Sequence, residues 1–321
     1  MIKKTSLVKI SILMSVFSEP ENWLNKAIDS ILNQTFKDFE FIIINDNPKR
    51  KENDLILKEL QQKDSRVIVI KNKENIGLTK SLNKGLLEAK GKYIARMDAD
   101  DISLPERLSR QFDFMENHKK VVACGSFISV FGKINRVDKS LPTNYKQFKN
   151  ILLIKNPLPH PTAFIRNEII QKNKIKYNEK YKYSQDYGLW SELSKYGFLT
   201  NIPEVLLHYR VADNQISIKN KKEQTLCAQS IRLELLKREL KKIHIEFDIN
   251  SLNHMSISIY NKLDRNEYRS YMLLLLFLSY INYTGKDIFL LIYRVNVKVL
   301  IVNFKLIVQR VLFTRQYQPL I

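Results

Sequence analysis

An α/β fold is predicted for residues 1–218, a mostly parallel sheet flanked by helices, with an α-helical region over residues 219–321. Three observations predict it. Short apolar runs alternate with segments whose apolar residues recur at helical spacing, the pattern of repeated βα units. The run Tyr93 to Met97 ends in Asp98-Ala-Asp100-Asp101, carboxylates at the carboxyl end of a strand, where open α/β sheets bind ligands. Beyond about Lys219 the strand-like runs stop.

Taken in order, Lys9 to Phe17 reads as a first strand, and Ser18-Glu-Pro-Glu21 fits a capping box with Ser18 as N-cap. Trp23, Leu24, Ala27, Ile28, Ile31 and Leu32 then form one helical stripe. Phe39 to Ile44 is a buried strand stopped by Asn45-Asp-Asn-Pro48, and a polar helix over Asp54 to Gln62 leads to a third strand at Val67 to Ile70. Asn75-Ile-Gly77 turns the chain into a helix carrying Leu78, Leu82, Leu86 and Leu87, ended by Lys90-Gly91 before the fourth strand. Leu104-Pro105 opens a helix with Leu108, Phe112 and Met115 inward, and Val121 to Phe131 is strand-like. The three prolines of Asn156 to Ile165 predict a rigid loop before a strand. Ser184-Gln-Asp-Tyr187 starts a helix with Leu189, Trp190 and Leu193 inward, and Val205 to Arg210 is the last strand.

In the remainder, Ile231 to Leu240 is amphipathic and basic, and Tyr271 to Ile281 is apolar but too short to span a bilayer. Asp287, Arg294, Lys298 and Lys305 fall on one helical face, which predicts a helix lying on an anionic membrane surface or packed on a second subunit of a homo-oligomer.

The 321 residues carry a net charge of +20, so anionic partners are expected: nucleotides, diphosphates or anionic lipid. No zinc-finger, basic-zipper or RNA-binding signature accompanies that charge, which sets nucleic acid aside. Cys124 and Cys227 lack metal-ligand spacing and are expected as reduced thiols. The first apolar run is broken by Lys9, Ser11 and Ser15 and is not followed by a small-residue cleavage site, so it reads as strand rather than leader.

Crowding carboxylates in Asp98-Ala-Asp100-Asp101 costs repulsion unless a cation offsets it. Oxygen-only ligands suit Mg²⁺ or Mn²⁺, which would in turn hold a diphosphate; the competing reading is a solvated acidic turn capping the next helix.

Five segments, in order over roughly residues 8 to 217, resemble family 2 glycosyltransferases, inverting enzymes with a GT-A (Rossmann-like) fold. They are Ile12 to Phe17, Ala27 to Phe36, Phe41 to Asp46, Asn75 to Leu78 with Ala89 to Asp101, and Gln185 to Tyr187 with Leu189-Trp190. The chain departs from the family at Asn45, where an aspartate is usual, at Gln185, where glutamate is common, and at Ala212-Asp213, where many relatives have a histidine. The resemblance implies a metal-dependent transfer of sugar from a nucleotide-sugar donor, commonly a UDP-sugar, to a glycan or lipid-linked acceptor. Asp186 is then the general base, Asp98 and Asp100 hold Mn²⁺ or Mg²⁺ (Asp98 alternatively the ribose), and Asp46 meets base or ribose. Ser15 and Phe17, at the first strand's end, would frame the nucleobase. Arg96, Asp101, His160 and Arg210 are candidate phosphate or acceptor contacts, each with a structural alternative. The expected location is cytoplasmic, peripheral on the inner face of the plasma membrane. The rival readings are a sugar-nucleotide nucleotidyltransferase, disfavoured because Ser15 to Pro20 contains no glycine, and a non-catalytic membrane scaffold.

Overall fold

The computed structural model describes residues 8–212, 220–242 and 244. The amino-terminal half is built from βα units. Strand β1 (Ile10–Val16) leads to α1 (Glu21–Leu32), β2 (Phe39–Asn45) to α2 (Lys51–Lys63), and β3 (Val67–Lys71) to α3 (Leu78–Glu88), followed by β4 (Tyr93–Asp98). These four strands pair in parallel in the order β3-β2-β1-β4. β1 and β2 are buried on both faces, which is why they read as continuous apolar runs rather than alternating ones.

The second half of the sheet brings in a reversal. After the two-residue β5 (Ile102–Ser103) and α4 (Arg107–Asn117) come the long β6 (Val121–Gly132) and the short β7 (Arg136–Asp138). Helix α5 (Tyr145–Leu152), a 3-10 turn at His160–Thr162, β8 (Phe164–Arg166), α6 (Asn167–Lys172), α7 (Gln185–Leu193) and β9 (Phe198–Val211) follow. β8 runs antiparallel between β4 and β6, while β9 pairs in parallel with β6, so β6 and β9 point the same way as β1 to β4. The predicted, mostly parallel α/β sheet is thus observed, with β5, β7 and β8 reversed.

Several expectations are corrected. Pro20, not Ser18, is the residue before α1, no side chain caps that helix, and the Glu19 carboxylate instead accepts from the Phe17 N–H at 2.8 Å. Leu87 is 81% exposed, outside the stripe that buries Leu82 and Leu86. β9 begins at Phe198 rather than Val205.

Two buried polar clusters fix the halves of the sheet. Ser11 Oγ donates to Glu40 at 2.6 Å and accepts from the Gly91 N–H at 2.7 Å, and Gly91 lies so close that a Cβ would stand 2.4 Å from the Ser11 nitrogen. On the other side Arg166 donates to the carbonyls of Val121 and Met115 and to the Tyr93 hydroxyl, tying β8 to α4, β6 and β4. A buried guanidinium is tolerable there because its hydrogens meet acceptors.

By packing, the chain falls into two compact units, Met1–Lys149 with Pro157–Cys227, and Asn150–Asn156 with Ala228–Ile321. Helix α8 (Lys221–Lys242) buries Ile231, Leu235, Leu236 and Leu240, and within the second unit Arg232 donates to the Ile154 carbonyl at 3.0 Å. Among the described residues no helix is long and apolar enough to cross a membrane. The apolar stretch Tyr271 to Ile281 and the face formed by Asp287, Arg294, Lys298 and Lys305 lie outside the described residues. Cys124 and Cys227 are both free thiols.

Candidate active site

The carboxyl ends of β1, β2 and β4 converge because the parallel pairing sets Ser15 beside Ile44 and Asp98, and Val16 beside Asn45. Asp46 follows immediately, and its N–H donates to the Val16 carbonyl. Its buried carboxylate accepts from the N–H groups of Ile76 and Gly77, both at 2.9 Å, and from Asn72 Nδ2 at 2.8 Å. The acidic pair position therefore holds the turn into α3, where Gly77 adopts φ +84°, a conformation that favours glycine. Asn45, in the place where an aspartate is usual, binds Asp54 and the Asn47 N–H. Ser15 is half-buried and Phe17 is exposed at the rim.

At the end of β4 the acidic turn is partly solvated and unsymmetrical, with Asp98 and Asp100 half-buried and Asp101 buried. Asp98 is ion-paired to the buried Arg96, whose Nη1 also reaches the Leu13 carbonyl. Asp101 is buried; one oxygen accepts the Arg210 N–H at 2.8 Å and the other has no hydrogen-bond partner. Burial, then the charges of Asp100 and Asp98, push its carboxyl well above the usual range. Asp100 is raised to about 7 by burial and then by the carboxylates of Asp98 and Glu19. Full ionisation of the turn is opposed first by burial and then by its own neighbouring carboxylates, a cost that a bound cation would offset.

Three participants were not legible in the sequence. Glu19 adds a carboxyl to the cluster, raised by burial and by Asp98. Arg107 lies fully buried below it, donating to Gln111 at 3.0 Å and to the Arg96 carbonyl at 2.5 Å; burial lowers it to about 10, so it stays cationic. A signal existed for it: Arg107 opens α4, and a cation at a helix amino terminus opposes the dipole unless a buried anion compensates. The third is an aromatic clamp on Arg210. Its guanidinium lies 4.4 Å from the ring centroids of both Trp23 and Phe131, while its Nε donates to the Asp100 carbonyl at 2.7 Å. The motif Asn33-Gln-Thr-Phe36 has a physical reason as well: buried Gln34 binds Ser103, the Leu104 carbonyl and the Leu108 N–H, fastening the chain that leaves the acidic turn.

From the other side, α7 presents Asp186 in its first turn, buried, with one oxygen accepting the Tyr187 N–H at 2.8 Å. His160 is buried against Trp190, and its Nε2 is 2.9 Å from the Tyr177 hydroxyl. Burial, and then Arg96, drive the imidazole well below its ordinary range, so it is neutral. The fields of Asp186 and Asp98 both act on the Tyr177 hydroxyl, and those of Asp186, Asp98, Asp100 and Asp101 all act on the buried Tyr209 hydroxyl. Asp186 and the acidic turn thus act electrostatically on the same two buried hydroxyls. Arg96 pairs with Asp98, which leaves the other Asp98 oxygen and Asp100 as the donors that could take a divalent cation. No tight cluster of three metal-ligating side chains occurs among the described residues.

The glycosyl transferase family 2 model matches residues 11–173. An uncharacterized glycosyltransferase of Methanocaldococcus jannaschii is 40% identical over 221 residues, 68% of this chain and 76% of that protein. The O-antigen biosynthesis glycosyltransferase WbnJ of Escherichia coli is 34% identical over 235 residues, 71% and 89% of the two chains. S. aureus TarS 1–349, solved in complex with UDP-GlcNAc, shares the fold with a TM-score of 0.56 at 14% identity, covering 85% of this chain and 92% of that one. With the reversed β8 inside a parallel sheet and the acidic turn closing β4, these matches assign the chain to glycosyl transferase family 2, with a GT-A fold and transferase activity.

Proposed function

We propose that the chain transfers a sugar, with inversion, from a nucleoside-diphosphate donor of the uridine type to a hydroxyl of a lipid-linked or surface-polysaccharide acceptor. The observation that carries this reading is the acidic turn closing β4 beside the carboxyl ends of β1 and β2, with Arg210 donating to the Asp100 carbonyl and Asp186 acting on the same buried tyrosines as Asp98. It is supported by the relative WbnJ, described as acting in O-antigen biosynthesis, and by the TarS complex with UDP-GlcNAc, each a statement about that other protein.

In the proposed step an acceptor oxygen attacks the anomeric carbon as the bond to the diphosphate breaks on the opposite face. Asp186 takes the hydroxyl proton, a contribution of about 10²- to 10⁴-fold. Ser15, Phe17 and Asp98 lie at the mouth of the nucleotide half, and Asp46 acts by holding the Asn75-Ile-Gly77 turn that closes it. Asp100 and the free oxygen of Asp98 are oxygen donors suited to Mn²⁺ or Mg²⁺, which when bound would offset the leaving diphosphate's charge. Arg210, packed 4.4 Å from the centroids of Trp23 and Phe131, brings its guanidinium beside that turn. His160, neutral and bonded to Tyr177, positions the wall rather than moving a proton. The net charge of +20 supports work at an anionic membrane surface on the cytoplasmic face.

The test is a transfer assay with UDP-sugars and Mn²⁺, the product's anomeric configuration read by NMR. Inverted product is expected from the wild type. Product formation that survives a chelator would refute the cation's role, and retention of configuration would refute single displacement.

A further inference from the structure

A groove of about 540 Å³ opens beside the acidic turn, bounded by Ile102 of β5, Ser129, Val130 and Phe131 of β6, Asn135 before β7, Arg136 and Val137 of β7, and His208 of β9. It is continuous with the site through one ring. Phe131 carries Arg210 on its face and meets the His208 ring edge-on at 6.2 Å, while Ile102 pairs in register with His208, two residues beyond Asp100.

The lining is mixed: Ile102, Val130 and Val137 give it an aliphatic wall, Phe131 and His208 an aromatic one, and Ser129 and Asn135 add two small polar groups. Arg136 is different: its buried Nε has no hydrogen-bond acceptor, and among the described residues it makes no ion pair. An unpaired, half-buried guanidinium lacks the acceptors that such groups require, and it suits a phosphate. At the open end, Ile134 and Val137 are 48% and 52% exposed, flanked by the exposed Lys133 and Lys139. The hairpin leaves β6 at Gly132, which at φ +101° packs so closely that a Cβ would stand 2.6 Å from the Val211 carbonyl oxygen.

We infer that this groove is the acceptor-headgroup subsite, taking the phosphate of an amphipathic lipid phosphate on Arg136, with Ile134 and Val137 against its hydrocarbon chain. The inference rests on the transferase reading above for the word acceptor, and on the groove alone for the lipid phosphate. A lipid phosphate matches all three features at once: one anion for Arg136, apolar walls for the first carbons, and an apolar tip edged by lysines facing an anionic membrane.

The experiment titrates full-length protein with a soluble short-chain prenyl phosphate, followed by intrinsic fluorescence, and in parallel with UDP plus Mn²⁺. Arg136→Gln is expected to weaken prenyl phosphate binding about tenfold, the loss of one charge-assisted contact. Val137→Ser should weaken it severalfold and Lys139→Gln little, with UDP binding unchanged in all three. Inorganic phosphate at equal concentration should not displace the ligand; full displacement would identify a free-phosphate site and overturn the lipid assignment. Equal affinity of Arg136→Gln and wild type, or tighter binding of a phosphate-free oligosaccharide in the same groove, would also overturn it. Failure of the transferase reading would appear separately, as absent UDP binding with Arg136-dependent prenyl phosphate binding intact.

Discussion

Replacing Asp100 by asparagine should stabilise the protein, and by an amount that grows with pH. In the folded chain burial, with Asp98 and Glu19 nearby, raises the carboxyl to about 7 from an ordinary 3.8. A folded value above the unfolded one means the folded state binds the proton more tightly. The associated stability is complete below the unfolded value and is lost as pH rises through about 7. Between about pH 5 and pH 8 the folded group crosses roughly two units of unfavourable ionisation, at about 1.36 kcal/mol each, or about 3 kcal/mol. The asparagine variant keeps the shape without the charge. Urea unfolding of wild type and Asp100→Asn across that range should therefore give a gap that opens by about 3 kcal/mol, with the variant the more stable at alkaline pH. Saturating Mn²⁺ should narrow the gap at pH 8 by stabilising only the wild type, through preferential binding to the folded state. A gap that stays constant with pH would refute the claim that burial and the neighbouring carboxylates disfavour ionised Asp100, and with it the electrostatic argument for a cation.

Other expectations concern neighbouring residues. Asp186→Asn should lower turnover by about 10²- to 10⁴-fold with the UDP dissociation constant unchanged, as titration calorimetry and initial rates would show; turnover near that of wild type would move the base elsewhere. Asp46→Ala removes the acceptor of the Ile76 amide and one of the two acceptors of the Gly77 amide and of Asn72 Nδ2, and should cost about 1–3 kcal/mol, read as a lower unfolding midpoint. An unchanged midpoint would mean that the turn is held by other contacts. Gly91→Ala forces a methyl against the Ser11 backbone and should cost about 3 kcal/mol by urea titration, an effect absent if the strand can shift without loss.

The legible part of the fold is the part where neighbouring residues share one environment. Phe39 to Ile44 and Tyr93 to Met97 are apolar on both faces and need no partner to be recognised. The first half of β9 was invisible because Thr200-Asn-Ile-Pro203 reads as a loop; the structure accommodates Pro203 in an irregularity where Ser126 faces Ile202 and the next pair is Phe127 with Val205. β5 and β7 are two and three residues long, too short for any period to register. Ser18 offered a good cap in sequence, yet Glu19 took the competing bond to Phe17, and the helix starts later. In the site, the aspartates announced themselves by being adjacent. The groups around them did not: Tyr177 and the Trp23–Arg210–Phe131 contacts are assembled across long stretches of chain and have no local signature, while Arg107 gave only the indirect one of a cation opening α4.

The three-residue strand β8 has a wider effect than its length suggests. By running backwards between β4 and β6 it lets two sets of like-directed strands deliver their trailing loops to one rim without a long crossover joining them. The proposed nucleotide side is built from the turns after β1, β2 and β4, and the proposed acceptor side from the hairpin after β6 and the tail of β9. Insertions on one bank can therefore accumulate without disturbing the other, which gives a single scaffold the means to exchange one reaction partner while retaining its counterpart.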